Sequence, residues 1–339
     1  MNQHLGTASI RLEQPVYIRN SASIVGSKEG DGPLGLLFDM VGGDDLFGCN
    51  TWEEAESNLQ KDAVYLAMGK AKLKPEEINF IFAGDLLGQS IATSFGISVY
   101  NIPLFGVYGA CSTCGETISL GAMAIAGGYA DNVVCVTSSH FASAEKEFRY
   151  PLEYGNQRPL SASWTVTGSG AFVLGREPGE APRARISGMT IGKIVDYGLK
   201  DSLNMGACMA PAAADSLVQH FTDYNSQPGD YDKIITGDLG KVGQHVLIDL
   251  LRDKGYDISG VHMDCGIEIY DGDSQDTHAG GSGCGCCAVT LSAFLLKQLE
   301  EGNWKKILFM PTGALLSKTS FNEGQSVPGI AHGVVIESI

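Results

Sequence analysis

The sequence predicts an α/β protein built from two duplicated halves, residues 1–180 and 181–339, each with a mainly parallel sheet covered by helices. The main observation is a passage that occurs twice without a gap, because Lys74–Leu86 returns as Gln227–Leu239. Each copy follows an amphipathic helical stretch and contains a proline-marked turn, a short β run and a Gly-Asp pair. A repeat this long indicates a doubled domain, since the units of a solenoid are only about 20–50 residues long.

Two further observations support the duplication. Asn132–Val136 follows a helical stretch in the first half, and Lys306–Met310 follows a similar stretch in the second. With 339 residues, of which 44% are hydrophobic, the chain can bury a core of two such units. The boundary between the two halves is expected at Gly175–Pro182, a cluster of proline, glycine and charged residues.

The elements of the first half follow in order. The first strand is expected near Val16–Ile18. The glycine-rich segment Gly26–Gly48 follows it and shows little helical or strand periodicity. A helix should begin after Thr51, which can act as its N-cap, with Glu54 completing a capping box. Strands then alternate with helices as far as Leu174, which favours parallel pairing.

Composition and charge exclude several classes of protein. The net charge of −16 is shared evenly between the halves, so nucleic acid is an unexpected partner. The apolar run Thr117–Ala130 is too short for a spanning helix, which needs about 20 residues. Met1–Pro15 lacks the apolar core of a secretory signal, so we expect the protein on the cytoplasmic side with its nine cysteines as reduced thiols.

A cysteine turn is the first candidate site. Cys111 and Ser112 lie in Tyr108–Gly115, between an extended stretch and a helix expected over Glu116–Ile125. The positive end of a helix lowers the pKa of a nearby thiol, so this position suits a nucleophile. The alternative is a small buried residue in a tight turn, because free cysteines are commonly buried.

A histidine turn opens the corresponding helix of the second half. His278 and Gly281 belong to the glycine-rich segment His278–Cys287, which precedes a helix expected from Ala288. If the halves are related by a twofold axis, the two turns meet, and His278 becomes a candidate base for Cys111. The alternative is a solvated or structural histidine.

These motifs resemble a known superfamily. Gly109–Ser112 resembles the nucleophile turn of the thiolase superfamily, and His278–Gly283 resembles the histidine loop of biosynthetic thiolases. Trp164–Ala171 is similar to the glycine-rich strand turn that closes the first half of ketoacyl synthases. The resemblance covers the whole chain and implies the five-layered αβαβα fold.

Three further strings are more specific. Thr236–Gly240, Asp264–Gly266 and Ala279–Cys284 resemble a family of thiolase-fold stage V sporulation proteins that is associated with moving dipicolinic acid into the forespore. The resemblance implies a dipicolinic acid ligand, alone or as its calcium complex, and no cofactor. It also implies other stage V sporulation membrane proteins as partners, and a peripheral position on the inner membrane of the forespore or spore.

The departures from the condensing-enzyme pattern concern the strand end at Asp238. Ketoacyl synthases of the initiating type carry histidine and then asparagine there, whereas this chain has Gly237 and Asp238. A carboxylate near Cys111 would disfavour its thiolate. Asp85 is the counterpart of Asp238 in the first half, which favours a structural turn aspartate for Asp85 and leaves the role of Asp238 open.

The implied ligand carries two carboxylates, for which arginine is the best donor. Arg149 and Arg158 lie with three aromatic residues in the segment Lys146–Pro159, which could equally be an exposed loop with solvated charges. The N–H groups over Cys111–Cys114 could also receive one carboxylate.

Metal binding is the weaker interpretation of the cysteines. Cys111 and Cys114 could face Cys284 and Cys286, but the spacing is not that of a zinc finger or ribbon, so we expect no metal site. Asp271–Asp276 lacks the later glycine and glutamate of an EF-hand and favours a solvated turn.

Two functions therefore remain open. The first is a binding protein that uses the acyl pocket for dipicolinic acid. The second is a condensing or acyl-transferring enzyme in which Cys111 is acylated and His278 is the acid/base. The related families also imply a homodimer whose interface includes the strand near Asn132–Val136 and the preceding helix, with the apolar stretch Ile118–Gly128.

Overall fold

The computed structural model describes residues 3–148 and 157–339. The helices are α1 (Ser27–Gly30), α2 (Trp52–Lys70), α3 (Ile91–Ile97), α4 (Thr113–Ala126), α5 (Phe141–Phe148), α6 (Met205–Tyr224), α7 (Gly240–Asp253), α8 (Cys265–Glu268), α9 (Cys284–Thr290), α10 (Leu296–Glu300) and α11 (Lys318–Asn322). The strands are β1 (His4–Leu5), β2 (Ser9–Val25), β3 (Met40–Val41), β4 (Phe80–Gly84), β5 (Leu104–Gly106), β6 (Asn132–Ser139), β7 (Trp164–Thr165), β8 (Gly168–Gly175), β9 (Ala184–Thr190), β10 (Lys233–Thr236), β11 (His262–Asp264), β12 (Gly281–Ser282), β13 (Lys306–Met310), β14 (Thr312–Ala314), β15 (Gly329–Ala331) and β16 (Gly333–Glu337).

The order of the strands is symmetrical about the centre of the main sheet. It runs β11-β10-β13-β16-β9-β2-β8-β6-β4-β5. In one half β4 is parallel to β5 and β6, and in the other β10 is parallel to β11 and β13. The repeated passage supplies β4 in its first copy and β10 in its second, each preceded by a short 3-10 turn. The two copies therefore occupy the same place in their halves.

Alternation along the strands separates three hydrophobic layers. In β6, Val133 and Cys135 face a central cluster, whereas Val134 and Val136 face an outer cluster with α2. The side chains of β13 divide in the same way between the central cluster and a second outer cluster with α6 and α7. Helices α4 and α9 contact each other and lie in the central layer, so the architecture is αβαβα.

Several element boundaries differ from the sequence expectations. The strand expected first, near Val16–Ile18, is β2; it follows the short β1 and covers Ser9–Val25, because it pairs with β9 near its start and with β8 near its end. Thr51 does cap α2 by accepting the N–H of Glu54 at 3.2 Å. Helices α4 and α9 both begin earlier than expected, so their first turns lie directly after the cysteine turn and the histidine turn.

Strand β6, which was expected at a dimer interface, lies inside the sheet. This strand is hydrogen-bonded to β4 on one side and to β8 on the other, so it has no edge for a second molecule. The exposed sheet edge at this end of the strand order is β5, where Phe105 is 52% exposed. Beside it, α3 and the turn after it expose apolar residues at a spacing of four, namely Ile91, Phe95 and Val99.

Candidate functional site

The entrances of the two central helices meet at Cys111 and Ser282. Cys111 lies two residues before α4, and Ser282 lies two residues before α9. The Cys111 Sγ and Ser282 Oγ atoms are 3.8 Å apart, and both side chains are buried. Since each residue holds the same place relative to its helix, the two are equivalent positions of the duplicated halves.

Asp238 completes this cluster. Its Oδ2 atom accepts hydrogen bonds from Ser282 Oγ at 2.9 Å and from the N–H of Gly283 at 3.0 Å. Its Oδ1 atom accepts one from Thr312 Oγ1 at 2.8 Å. Cys111 reaches this carboxylate through Ser282, and the charge of Asp238 acts on the thiol at short range. The residue that the sequence left open is therefore the central acceptor of the site.

These surroundings keep Cys111 as a thiol. Burial raises its pKa well above the usual value, and the adjacent negative charge of Asp238 raises it further. Burial also raises the pKa of Asp238, although its hydrogen bonds oppose this. The expectation that the helix entrance lowers the pKa of Cys111 is wrong, because desolvation and the carboxylate outweigh the helix dipole.

His278 is held by other groups. Its Nδ1 atom is 2.9 Å from the carbonyl oxygen of Pro159, and its Nε2 atom is 3.0 Å from Asp276 Oδ1. Its backbone is left-handed, with φ of 56°. The polar side chains that meet Cys111 are Ser282 and Asp238, so these contacts do not give Cys111 the histidine base that the sequence suggested.

The remaining residues of the cysteine turn have structural contacts. Ser112 Oγ donates to the carbonyl of Gly109 at 2.7 Å. The N–H groups of Ser112 and Thr113 donate to the carbonyls of Gly109 and Ala110. The turn thus uses two of the N–H groups over Cys111–Cys114 internally, and the expectation that this segment receives a carboxylate stays a prediction. In the facing loop, a side chain at Gly281 would lie 2.7 Å from Ile269 Cγ2, so tight packing requires glycine there.

Arg158 has one donor without a partner. Its Nη2 atom bonds the Asp276 carboxylate at 2.9 Å and the Asp276 carbonyl at 3.0 Å, and its guanidinium lies 4.9 Å from the centre of the Trp164 ring. The Nη1 atom is buried and lacks a hydrogen-bond partner among the described residues. Arg149 lies outside the described residues.

A cavity of about 460 Å³ shares Leu86 and Phe148 with the small hydrophobic cluster that contains Cys111. The first half contributes Leu86, Tyr108 and Phe148 to its walls, and the second half contributes Leu316 and Lys318. Leu86 packs in the same small cluster as Cys111, with Phe148 against it. The volume lies within the usual range of small-molecule sites, about 300–1,000 Å³.

Two further properties of the described residues concern metal binding and membranes. Within residues 3–148 and 157–339, no group of three or more histidine, cysteine, aspartate or glutamate side chains is arranged to hold a metal ion. Over the same residues, no helix combines the length and apolar character needed to cross a bilayer.

Comparisons with solved structures concern the fold alone, because the identities are low. 3-Oxoacyl-[acyl-carrier-protein] synthase III from Aquifex aeolicus VF5 matches with a TM-score of 0.55 and 15% identity over 95% of this chain and 99% of that one. Human mitochondrial 3-ketoacyl-CoA thiolase matches with a TM-score of 0.57 and 14% identity over 96% and 99%. These similarities confirm the predicted thiolase-like α/β fold.

The sequence comparisons identify the family. The family model for stage V sporulation protein AD (SpoVAD) matches residues 6–337. Stage V sporulation protein AD from Bacillus subtilis (strain 168) is 44% identical over 328 residues, which cover 96% of this chain and 95% of that protein. Both matches extend over nearly the whole chain and agree with the strings noted in the sequence. The chain belongs to the stage V sporulation protein AD family.

Proposed function

We propose that this chain binds dipicolinic acid, alone or as its calcium complex, in the cavity beside Cys111 and supports its uptake into the forespore without converting it chemically. The observation that carries the proposal is the buried position of Cys111, whose Sγ atom lies 3.8 Å from a Ser282 hydroxyl that is itself hydrogen-bonded to Asp238. A nucleophilic cysteine acts as its thiolate, whereas here burial and the charge of Asp238 raise the pKa of the thiol well above its usual value. A pocket beside a cysteine that stays protonated can hold a ligand without reacting with it.

The cavity offers groups that match a flat aromatic dianion. Tyr108 and Phe148 present aromatic side chains in its walls, and such rings pack against a pyridine ring by stacking or edge contacts. Charge-assisted donors bind carboxylates most strongly. The proposed donors are Arg149 and Arg158; Arg158 is not among the residues that line the cavity, and its Nη1 atom has no hydrogen-bond partner among the described residues. Lys318 of the cavity wall is a further cation.

Titration calorimetry with dipicolinate tests the binding. We expect binding by the unmodified protein, and a loss of about 1.5–3 kcal/mol on replacing the responsible arginine, the range for a hydrogen bond to a charged group. Arg158→Ala and Arg149→Ala are compared, and the other variant should bind normally. Normal binding by both would remove arginine from the site, while no binding by the unmodified protein would refute the function.

The second candidate is a condensing or acyl-transferring enzyme that uses Cys111. The observation in its favour is the cysteine itself, which lies at a helix entrance next to a cavity. Incubation with acyl-CoA followed by intact mass measurement separates the two functions. We expect no adduct; an acyl group on Cys111 that is absent from Cys111→Ala would establish the enzyme instead.

We also propose a homodimer and an association with other stage V sporulation membrane proteins. The dimer would use the exposed edge of β5 and the apolar residues Ile91, Phe95 and Val99. An unpaired, apolar strand edge next to an apolar helix face is a surface that soluble proteins usually cover. Light scattering at micromolar concentration should give the mass of two chains, and a monomer would contradict the proposal.

A further inference from the structure

Two segments of the first half form one side of the cavity. The first is the loop Leu86–Ser90, and the second is the end of α5 with Glu147 and Phe148. Within the loop, Gln89 and Ser90 are both left-handed, with φ of 58° and 49°. Left-handed backbone at residues other than glycine costs about 1–3 kcal/mol each and persists only where surrounding contacts impose it. The loop must therefore be held by its neighbours.

The buried carboxylate of Asp85 holds this loop. Its Oδ1 atom accepts the N–H of Leu87 at 2.8 Å, and its Oδ2 atom accepts both the N–H and the hydroxyl of Thr93, at 2.8 and 2.6 Å. Three donors around two oxygen atoms suit an ionised carboxylate. The sequence interpretation of Asp85 as a turn aspartate fits these contacts, which bracket the strained residues on both sides.

A second buried acid, Glu56 of α2, holds α5. Ser138 Oγ is 2.9 Å from Glu56 Oε1, and Ser143 Oγ is 2.6 Å from Glu56 Oε2. The Ser143 hydroxyl also donates to the carbonyl of His140 at 3.1 Å. Ser138 and Ser143 therefore both donate to the Glu56 carboxyl group, and Ser143 shares its one hydrogen with the His140 carbonyl. Burial first, and then the charge of Asp85, raise the pKa of Glu56 to about 8.

Gln60 joins the two acids. It lies one helical turn after Glu56, and its side-chain amide donates to Ser138 Oγ and to Thr93 Oγ1, both at 2.9 Å. Ser138 contacts Glu56, and Thr93 contacts Asp85. All of these side chains are buried. One continuous polar network therefore connects the loop Leu86–Ser90 with α5.

We infer that Glu56 and Asp85 share a single proton and that Glu56 is a positioning residue, which keeps both segments closed around an anionic ligand only while it carries that proton. The inference rests on the proposed function for the class of ligand. Loss of the proton would place two negative charges in one buried network whose members, Glu56, Gln60, Asp85 and the hydroxyl groups between them, include no cation. The end of α5 and the strained loop would then separate.

The other ionisable groups around Glu56 do not supply a compensating charge. Asp85 faces it from the end of β4, and Glu53 lies on its own helix. Glu53 pairs with Lys146 of α5 at 2.7 Å, so the positive charge on that side is already neutralised. Cys284 lies near the same network with its pKa raised well above the usual value by burial, so it is uncharged.

The first test is the affinity for dipicolinate at pH 7 and pH 9. The carboxyl groups of dipicolinate are ionised at both, so a change reports on the protein. If only the protonated form binds, the affinity of the unmodified protein should fall about tenfold. Glu56→Gln keeps a polar side chain of similar size with an oxygen that can accept from Ser143, and it cannot ionise, so its affinity should change less than about twofold. Glu53→Gln is the matched control and should keep the tenfold fall.

The second test needs no ligand. Hydrogen exchange of the free proteins is compared at pH 9, where we expect faster exchange in 86–90 and 141–148 of the unmodified protein than in Glu56→Gln. Equal exchange and equal pH dependence of binding in the two proteins would overturn the inference. A difference in exchange without any binding of dipicolinate would instead refute the proposed function and leave the shared proton in place. Thermal unfolding of Glu56→Gln verifies that it is folded.

Discussion

Replacing Asp238 by asparagine isolates the effect of its charge on Cys111. Ser282 contacts both groups in a buried site, at 3.8 Å from the Cys111 Sγ atom and 2.9 Å from the Asp238 carboxylate. Two unit charges about 4 Å apart interact by about 4 kcal/mol at an effective dielectric constant of about 20, which changes an equilibrium by about a thousandfold. The pKa of Cys111 should therefore fall substantially in Asp238→Asn.

Alkylation by iodoacetamide near pH 8 measures the change. A thiolate fraction about a thousandfold larger is partly offset by the lower nucleophilicity of a less basic thiolate, so the rate should rise about 30-fold. The reaction is followed by peptide mass mapping in a Cys49→Ser background, because Cys49 is the half-exposed cysteine among those described. Ser282→Ala removes a hydrogen bond that lowers the pKa of Cys111 and should slow the reaction. An unchanged or slower rate in Asp238→Asn would show that burial alone protects the thiol.

Further predictions concern stability and assembly. Burial lowers the pKa of His220 to about 3, below its unfolded value, so this histidine should cost about 2 kcal/mol of stability between pH 7 and pH 5. Urea unfolding of the unmodified protein and of His220→Gln at both pH values should show this cost as their difference, and an equal pH dependence would contradict it. Gly283 has φ of 107°, and a new Cβ atom there would lie 2.6 Å from Ser139 Oγ, so Gly283→Ala should lower the free energy of unfolding by about 3 kcal/mol. Gly302 is left-handed but faces open space, so Gly302→Ala should lower it by about 1 kcal/mol. Equal losses would contradict the steric argument. Phe105→Asp should convert the proposed dimer to a monomer in sedimentation, and a dimer that persists would move the interface elsewhere.

The symmetry of the sheet could be predicted from sequence because the repeated passage contains both a turn and a strand. Local patterns of this kind fix β4 and β10 independently of the rest of the chain. The position of Cys111 before a helix could be predicted for the same reason. The length of β2 could not, because it depends on pairing with strands far away in the sequence.

The partner of Cys111 was missed for a geometric reason. His278 and Ser282 lie four residues apart in one glycine-rich segment, and the start of the helix decides which of them meets the other half. Since α9 begins at Cys284, the equivalent of Cys111 is Ser282. Counting back from each helix start could have identified it. The sequence did not indicate that Glu56 is buried. It lies close to Glu53 in α2, where a glutamate is usually a surface residue, and only the packing of α5 against α2 covers it.

The pairing of β2 with β9 has a consequence for biosynthesis. Residues 9–18 of β2 pair with residues 184–190 of β9, while the later part of β2 pairs with β8. A ribosome makes β2 among the first residues of the chain, but its partner appears only after the whole first half has been made. One edge of β2 therefore stays open until more than half of the chain has been made, and strand edges of this kind recruit other chains. The N-terminal half on its own would carry the same open edge permanently, so its separate expression should give aggregated protein.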